Sequence, residues 1–81
     1  MNVSQSDLQS KIFNPEVVKY FKVYWHTKYE YKTVEIEGLE NVCEYINTLE
    51  EKNKEIGKIL EIDVYQVIEL SSQIFNLYKG A

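Results

Sequence analysis

The sequence predicts an α+β domain: a three-stranded antiparallel sheet, in the order β-β-α-β-α, with two helices packed on one of its faces. Two observations predict this class. Residues 17–37 are rich in β-branched and aromatic side chains that alternate with polar ones, which is typical of strands. Residues 39–55 and 63–80 instead repeat their apolar side chains at helical spacing.

The length and composition fit one small domain. The chain has 81 residues, of which 44% are hydrophobic and 14% aromatic. This composition supports a packed core and argues against disorder. Residues 1–16 form a polar segment in which one or two helical turns, capped by Ser6 or Asp7, end before Pro15. Residues 17–81 form a single α+β domain.

The first strand is predicted over residues 17–26. Alternation places three apolar side chains on one face and four others on the opposite face: Phe21, Val23 and Trp25 against Tyr20, Lys22, Tyr24 and His26. A helix is the alternative, because residues 17, 20, 21 and 24 also fit the helical period. The density of aromatic residues favours the strand.

A turn over residues 27–30 leads to a second strand at 31–37, which Gly38 ends. The helix that follows runs from Leu39 to Glu55, and Gly57 stops it. Its buried stripe consists of Leu39, Val42, Cys43, Ile46 and Leu49.

A short third strand is predicted over residues 58–62. Asp63 then caps a final helix whose apolar stripe extends to Gly80 and includes Val64, Val67, Ile68, Ile74, Phe75 and Tyr78. The alternative is that the strand continues to Leu70. A hairpin followed by a right-handed crossover makes the first strand central and leaves one sheet face uncovered.

No catalytic residues, metal ligands or cofactor site are predicted, and the chain is not expected to be an enzyme or to bind a small-molecule substrate. Cys43 lies in the apolar stripe of a helix, whereas His26 points to the opposite side of the sheet, so they cannot form a nucleophile–base pair. One Cys and one His are too few for a structural zinc site. Three glycines, at positions 38, 57 and 80, do not form a phosphate-binding loop.

The uncovered sheet face is the first candidate site. It is predicted to carry Tyr20, Lys22, Tyr24, Tyr29, Tyr31 and Thr33. Tyrosine is enriched at protein interfaces, so the favoured occupant is a protein partner or a second copy of the chain. Single-stranded nucleic acid is the alternative, with bases stacked on the tyrosines and phosphates bound by Lys22, Lys28 and Lys32. A third interpretation is that the face is only solvated.

The second candidate site is an acidic surface. It is predicted to consist of Glu35, Glu37, Glu40, Glu44, Glu51 and Glu55. Such a band could mimic nucleic acid in the binding channel of an enzyme, and the alternative is a surface that only keeps the chain soluble. The net charge of −4 argues against a generally basic nucleic-acid binder.

The predicted setting is the cytoplasm. No run approaches the roughly 20 apolar residues that span a bilayer, and residues 1–10 lack the pattern of a secretory signal. Abundant Lys, Glu, Ile, Asn and Tyr suggest a bacterium with an AT-rich genome, or one of its phages or mobile elements. The sequence therefore predicts a small acidic interaction protein that regulates or inhibits a host protein, with dimerisation as one source of stability.

Overall fold

A computed structural model of the chain describes residues 3–12, 17–52, 57–69 and 71–80. The helices and strands occur in the order α1 (Gln5–Gln9), β1 (Tyr20–His26), β2 (Tyr31–Ile36), α2 (Leu39–Glu51), β3 (Glu61–Ile68) and β4 (Ser71–Lys79). The strands form one sheet in the order β2-β1-β3-β4, and all neighbours are antiparallel. β1 is therefore an inner strand, as the sequence predicts.

The predicted three-stranded sheet in the order β-β-α-β-α is wrong, because the sheet has four strands. The segment predicted as the last helix forms most of β3 and all of β4. Its apolar residues fit both periods, and pairing with β1 decides between them: Val64 lies opposite Val23, and Val67 lies opposite Tyr20. The alternative of a longer strand is closer to the structure, in which β3 ends at Ile68.

The chain reverses between Ile68 and Ser71, which are paired in the β3–β4 hairpin. Glu69 has a φ of 47°, in the left-handed region that a two-residue hairpin loop requires. Glycine or asparagine usually marks such a loop, and neither occurs here. The turn therefore has no clear signal in the sequence.

Helix α1 begins at a different residue from the one predicted. Ser4, rather than Ser6 or Asp7, is the N-cap, and it forms a capping box with Asp7. Leu8 is fully buried, and Asn47 of α2 forms reciprocal hydrogen bonds with the backbone N–H and C=O of Val3, both 3.0 Å long. Residues 3–12 thus contribute to the same core as the sheet. The predicted stop at Pro15 lies outside the described residues.

The core lies between α2 and one face of the sheet. It includes the stripe of α2 and the inward side chains of β1: Val42, Cys43, Ile46 and Leu49 with Phe21, Val23 and Trp25. Trp25 is 2% exposed, and its indole Nε1–H donates to the hydroxyl of Tyr45, 2.9 Å away. The alternation predicted for β1 is confirmed, and so is the stripe of α2. The predicted end of this helix at Glu55 falls outside the described residues.

None of the described helices is long and apolar enough to cross a membrane.

Candidate functional site

The sheet face opposite α2 is here called the open face. Residues directly opposite each other in an antiparallel sheet point to the same side, so the strand register defines this face. Its members are Thr33, Tyr31 and Glu35 of β2, Tyr20, Lys22, Tyr24 and His26 of β1, Glu61, Asp63, Tyr65 and Val67 of β3, and Ser72, Ile74, Asn76 and Lys79 of β4. Leu8 of α1 and the apolar stripe of α2 belong to the core on the other side of the sheet.

Three aromatic rings contact one another at one end of the open face. His26 and Tyr31 are a cross-strand pair whose rings stack at 5.2 Å between centroids. Tyr24 lies diagonal to Tyr31 and stacks on it at 6.4 Å, and its ring is 5.9 Å from that of His26. Tyr31 is 74% exposed. The cluster is therefore held in place by its own contacts and still presents a large aromatic surface to solvent.

Two carboxylates adjoin these rings. Glu61 lies opposite His26 in the register, with its Oε2 4.0 Å from the imidazole Nε2. Asp63, which is buried, accepts a 2.8 Å hydrogen bond from the side-chain amide of Asn76. A hydrogen bond with Asp63, followed by desolvation and by the charge of Asp63, raises the pKa of Glu61 above its ordinary value. Glu61 thus binds its proton more tightly than an isolated glutamate does.

Tyr24 belongs to the ring cluster and also lines a shallow groove. Desolvation raises the pKa of its phenol, and the neighbouring Tyr31, Glu61 and Asp63 raise it further. The groove has a volume of about 310 Å³ and crosses all four strands, since it is lined by Lys22, Tyr24, Thr33, Tyr65, Val67 and Ser72. Its size suits one or two side chains of another molecule.

The structure brings five of the six predicted partner-binding residues together on the open face: Tyr20, Lys22, Tyr24, Tyr31 and Thr33. Tyr29 does not lie there. It belongs to the turn after β1, is 86% exposed, and its ring lies next to Gly57. Local alternation predicts the strand residues correctly, but it says nothing about a residue in a turn.

Only one of the three lysines expected to bind phosphates lies on this face. Lys22 does, opposite Tyr65. Lys32 pairs with Trp25, so it belongs to the side that α2 covers, and Lys28 lies in the turn. The open face therefore lacks the row of cations that a nucleic-acid backbone needs.

The predicted acidic surface is not one continuous band. Glu35 lies on the open face opposite Lys22, whereas Glu40, Glu44 and Glu51 are exposed on α2, on the other side of the sheet. Glu37 is exposed just after β2. Glu55 lies outside the described residues.

Several members of the open face are absent from the predicted site. Asp63, Tyr65, Ile74 and Asn76 were interpreted as part of a helix, and Glu61 lay in the short predicted third strand but was not assigned to the site. The alternation of the apolar Ile62 and Val64 with the polar Asp63 and with Tyr65 is the signal that could have indicated a strand here.

Cys43 and His26 lie on opposite sides of the sheet, as predicted. Cys43 is buried, and desolvation raises the pKa of its thiol, which disfavours the reactive thiolate. Within the part of the chain that the structure describes, no three His, Cys, Asp or Glu side chains are placed to hold a metal ion.

Comparisons of the chain with protein-family models, with curated proteins and with solved structures give no match.

Proposed function

We propose that the chain is a non-enzymatic interaction module that binds a partner protein on its open face. The observation that carries this proposal is the cluster of contacting rings formed by Tyr24, Tyr31 and His26, of which Tyr31 is 74% exposed. Tyrosine side chains supply a large contact area at a low cost in conformational entropy. Because these rings already contact one another, little further ordering is needed when a partner binds.

The charges of the open face support a protein partner over single-stranded nucleic acid. Lys22 and Lys79 are accompanied there by Glu35, Glu61 and Asp63. A mixed set of charges around an aromatic centre is typical of protein interfaces. Phosphates would meet unfavourable charges on the same surface.

The role of a phage- or mobile-element-encoded inhibitor of a host protein is part of the same proposal. It is supported by the composition of the chain, which is rich in Lys, Glu, Ile, Asn and Tyr. In this role, blocking a surface of the target requires only tight binding.

Site-specific photocrosslinking in the native host tests the proposal. A photoreactive amino acid at position 31 should give an adduct with a protein of defined mass, and Tyr24→Ala should abolish that adduct without unfolding the chain. The matched control places the photoreactive residue at Glu44, which is exposed on α2. Equal adducts from both positions, or none from position 31, would overturn the proposal. Salt-sensitive binding of an oligonucleotide that Tyr24→Ala weakens would support nucleic acid instead.

A further inference from the structure

The two edges of the sheet differ in length and charge. β2 has six residues and carries Lys32 and Glu35. β4 has nine residues and has no charge from Ser71 to Tyr78. Charges and short lengths protect edge strands from pairing with other chains, and β4 has neither protection over most of its length. No described element pairs with its outer side.

β4 also exposes apolar surface. Ile74, in the middle of the strand, is 53% exposed on the open face. The irregularity in the β3–β4 register lies between Ile62 and Asp63, so the part of β4 from Ser71 to Asn76 is regular. This regular part can pair with another strand over its full length.

We infer that β4 pairs with β4 of a second copy of this chain, antiparallel and about a two-fold axis at Ile74. In this register Ile74 faces its own counterpart, Gln73 faces Phe75 of the partner and Ser72 faces its Asn76. The exposed isoleucines then cover each other. The result is a continuous eight-stranded sheet.

Charge complementarity selects this register and this occupant. Leu77 is an extra residue in β4, so Lys79 lies four ladder positions from Ile74: Ile74 pairs with Tyr65 of β3, and Lys79 pairs with Glu61. On the other side of Ile74, the turn that contains Glu69 lies just beyond Ser71, which is three positions away. A two-fold axis at Ile74 therefore places each Lys79 beside the turn of Glu69 in the other copy, whereas an axis at Phe75 would place it beside Ser72. Opposite charges that flank a paired strand fix its register.

The symmetry has a consequence for the open face. A two-fold axis perpendicular to the sheet keeps both copies of α2 on the same side, so the two open faces join into one surface. The edge contact does not use the ring cluster of Tyr24, and Tyr24→Ala is expected to stay dimeric. Failure of dimerisation would therefore leave the proposed partner binding untouched.

The inference is tested by sedimentation equilibrium of the unmodified chain and of two variants that carry opposite charges at position 74. The unmodified chain should have twice the mass of one chain at about 100 µM. Ile74→Lys and Ile74→Glu should each give monomers, because like charges then face each other, and an equimolar mixture of the two should recover dimers. Lys32→Glu, on the other edge, is the control that stays dimeric. An unmodified chain that sediments as a monomer, a dimeric Ile74→Lys variant, or a mixture that stays monomeric would overturn the inference.

A cysteine variant checks the register without adding charge. Directly opposite residues in an antiparallel pair have Cα atoms roughly 4.5–5.5 Å apart, within the range of a disulfide. Under mild oxidation Ile74→Cys should therefore form a covalent dimer in high yield, whereas Lys32→Cys should not. Equal yields from the two variants would contradict pairing at β4.

Discussion

The hydrogen bond between Trp25 and Tyr45 joins the inner face of the sheet to α2. The indole N–H belongs to a side chain that is 2% exposed, and the Tyr45 hydroxyl is its acceptor. Leaving a buried donor without an acceptor costs about 1–3 kcal/mol. This single contact therefore helps to fix the orientation of α2 on β1.

We expect Tyr45→Phe to lower the free energy of unfolding by about 1–2 kcal/mol, because it removes the acceptor and keeps the ring. Tyr31→Phe is the matched control, since its hydroxyl group is on an exposed ring, and it should change stability by less than about 0.5 kcal/mol. Urea denaturation followed by the fluorescence of Trp25 measures both. Equal effects of the two changes would contradict the buried hydrogen bond.

The raised pKa of Glu61 predicts a pH effect. A carboxyl whose pKa is higher in the folded state stabilises the fold below its ordinary pKa, and this contribution is lost as pH rises through the folded value. The unmodified chain should therefore lose stability as the pH rises from 4.5 through the folded-state pKa of Glu61. Glu61→Gln should remove that loss.

NMR titration of the Glu61 carboxyl checks the cause directly. Its midpoint should lie above 4.5 and should fall in Asp63→Asn, which removes the neighbouring negative charge. A midpoint at or below 4.5 in the unmodified chain would show that the two carboxyl groups do not interact.

At the scale of elements, α1 is a short helix that is held by tertiary contacts. Five residues cannot form a stable helix alone. Leu8 and Ile12 reach the core, and Asn47 holds the backbone of Val3. The N-terminal helix therefore stabilises the fold through burial.

Leu8→Ala should destabilise the chain by about 2–4 kcal/mol, because it leaves a cavity in a fully buried position. Gln9→Ala, on the exposed side of the same helix, is expected to be within about 0.5 kcal/mol of the unmodified chain. Thermal or urea unfolding measures both. A Leu8→Ala variant as stable as Gln9→Ala would mean that α1 does not pack on α2.

The predictability of each element from sequence depended on how local its signal is. The alternation in β1 and the stripe of α2 are properties of neighbouring residues, so they predicted the correct structure. The β3–β4 hairpin was missed because its apolar residues fit two periods and because Glu69 occupies a position where glycine or asparagine would have marked the turn. Pairing with β1, which is not local, decided the outcome.

The candidate site shows the same division. Tyr20, Lys22, Tyr24, Tyr31 and Thr33 were placed on one face by alternation alone. Local alternation can show that Asp63 lies on the side of β3 opposite Ile62 and Val64, but only the pairing of β3 with β1 places Glu61 and Asp63 beside His26 and Tyr24. The aromatic residues were therefore predictable from sequence, and the neighbouring carboxylates of β3 were not.

At the scale of the whole molecule, the connection through α2 determines which face is buried. β2 and β3 flank β1 and run parallel to each other, so the chain must cross over the sheet between them. α2 makes this crossing and covers the side of Trp25. The open face is the side that this crossing leaves exposed.

Two neighbouring residues report on this arrangement. Trp25 and His26 are adjacent in β1, and Tyr31 pairs with His26, so Trp25 and Tyr31 lie on opposite sides of the sheet. Trp25 is the only tryptophan of the chain, and its signals are therefore unambiguous.

The most direct measurement is the relaxation of side-chain protons by a soluble paramagnetic probe in NMR. The ring protons of Tyr31 should relax strongly, and those of Trp25 should be almost unaffected. Equal relaxation of the two rings, or stronger relaxation of Trp25, would contradict a sheet that buries one face and presents its tyrosines on the other.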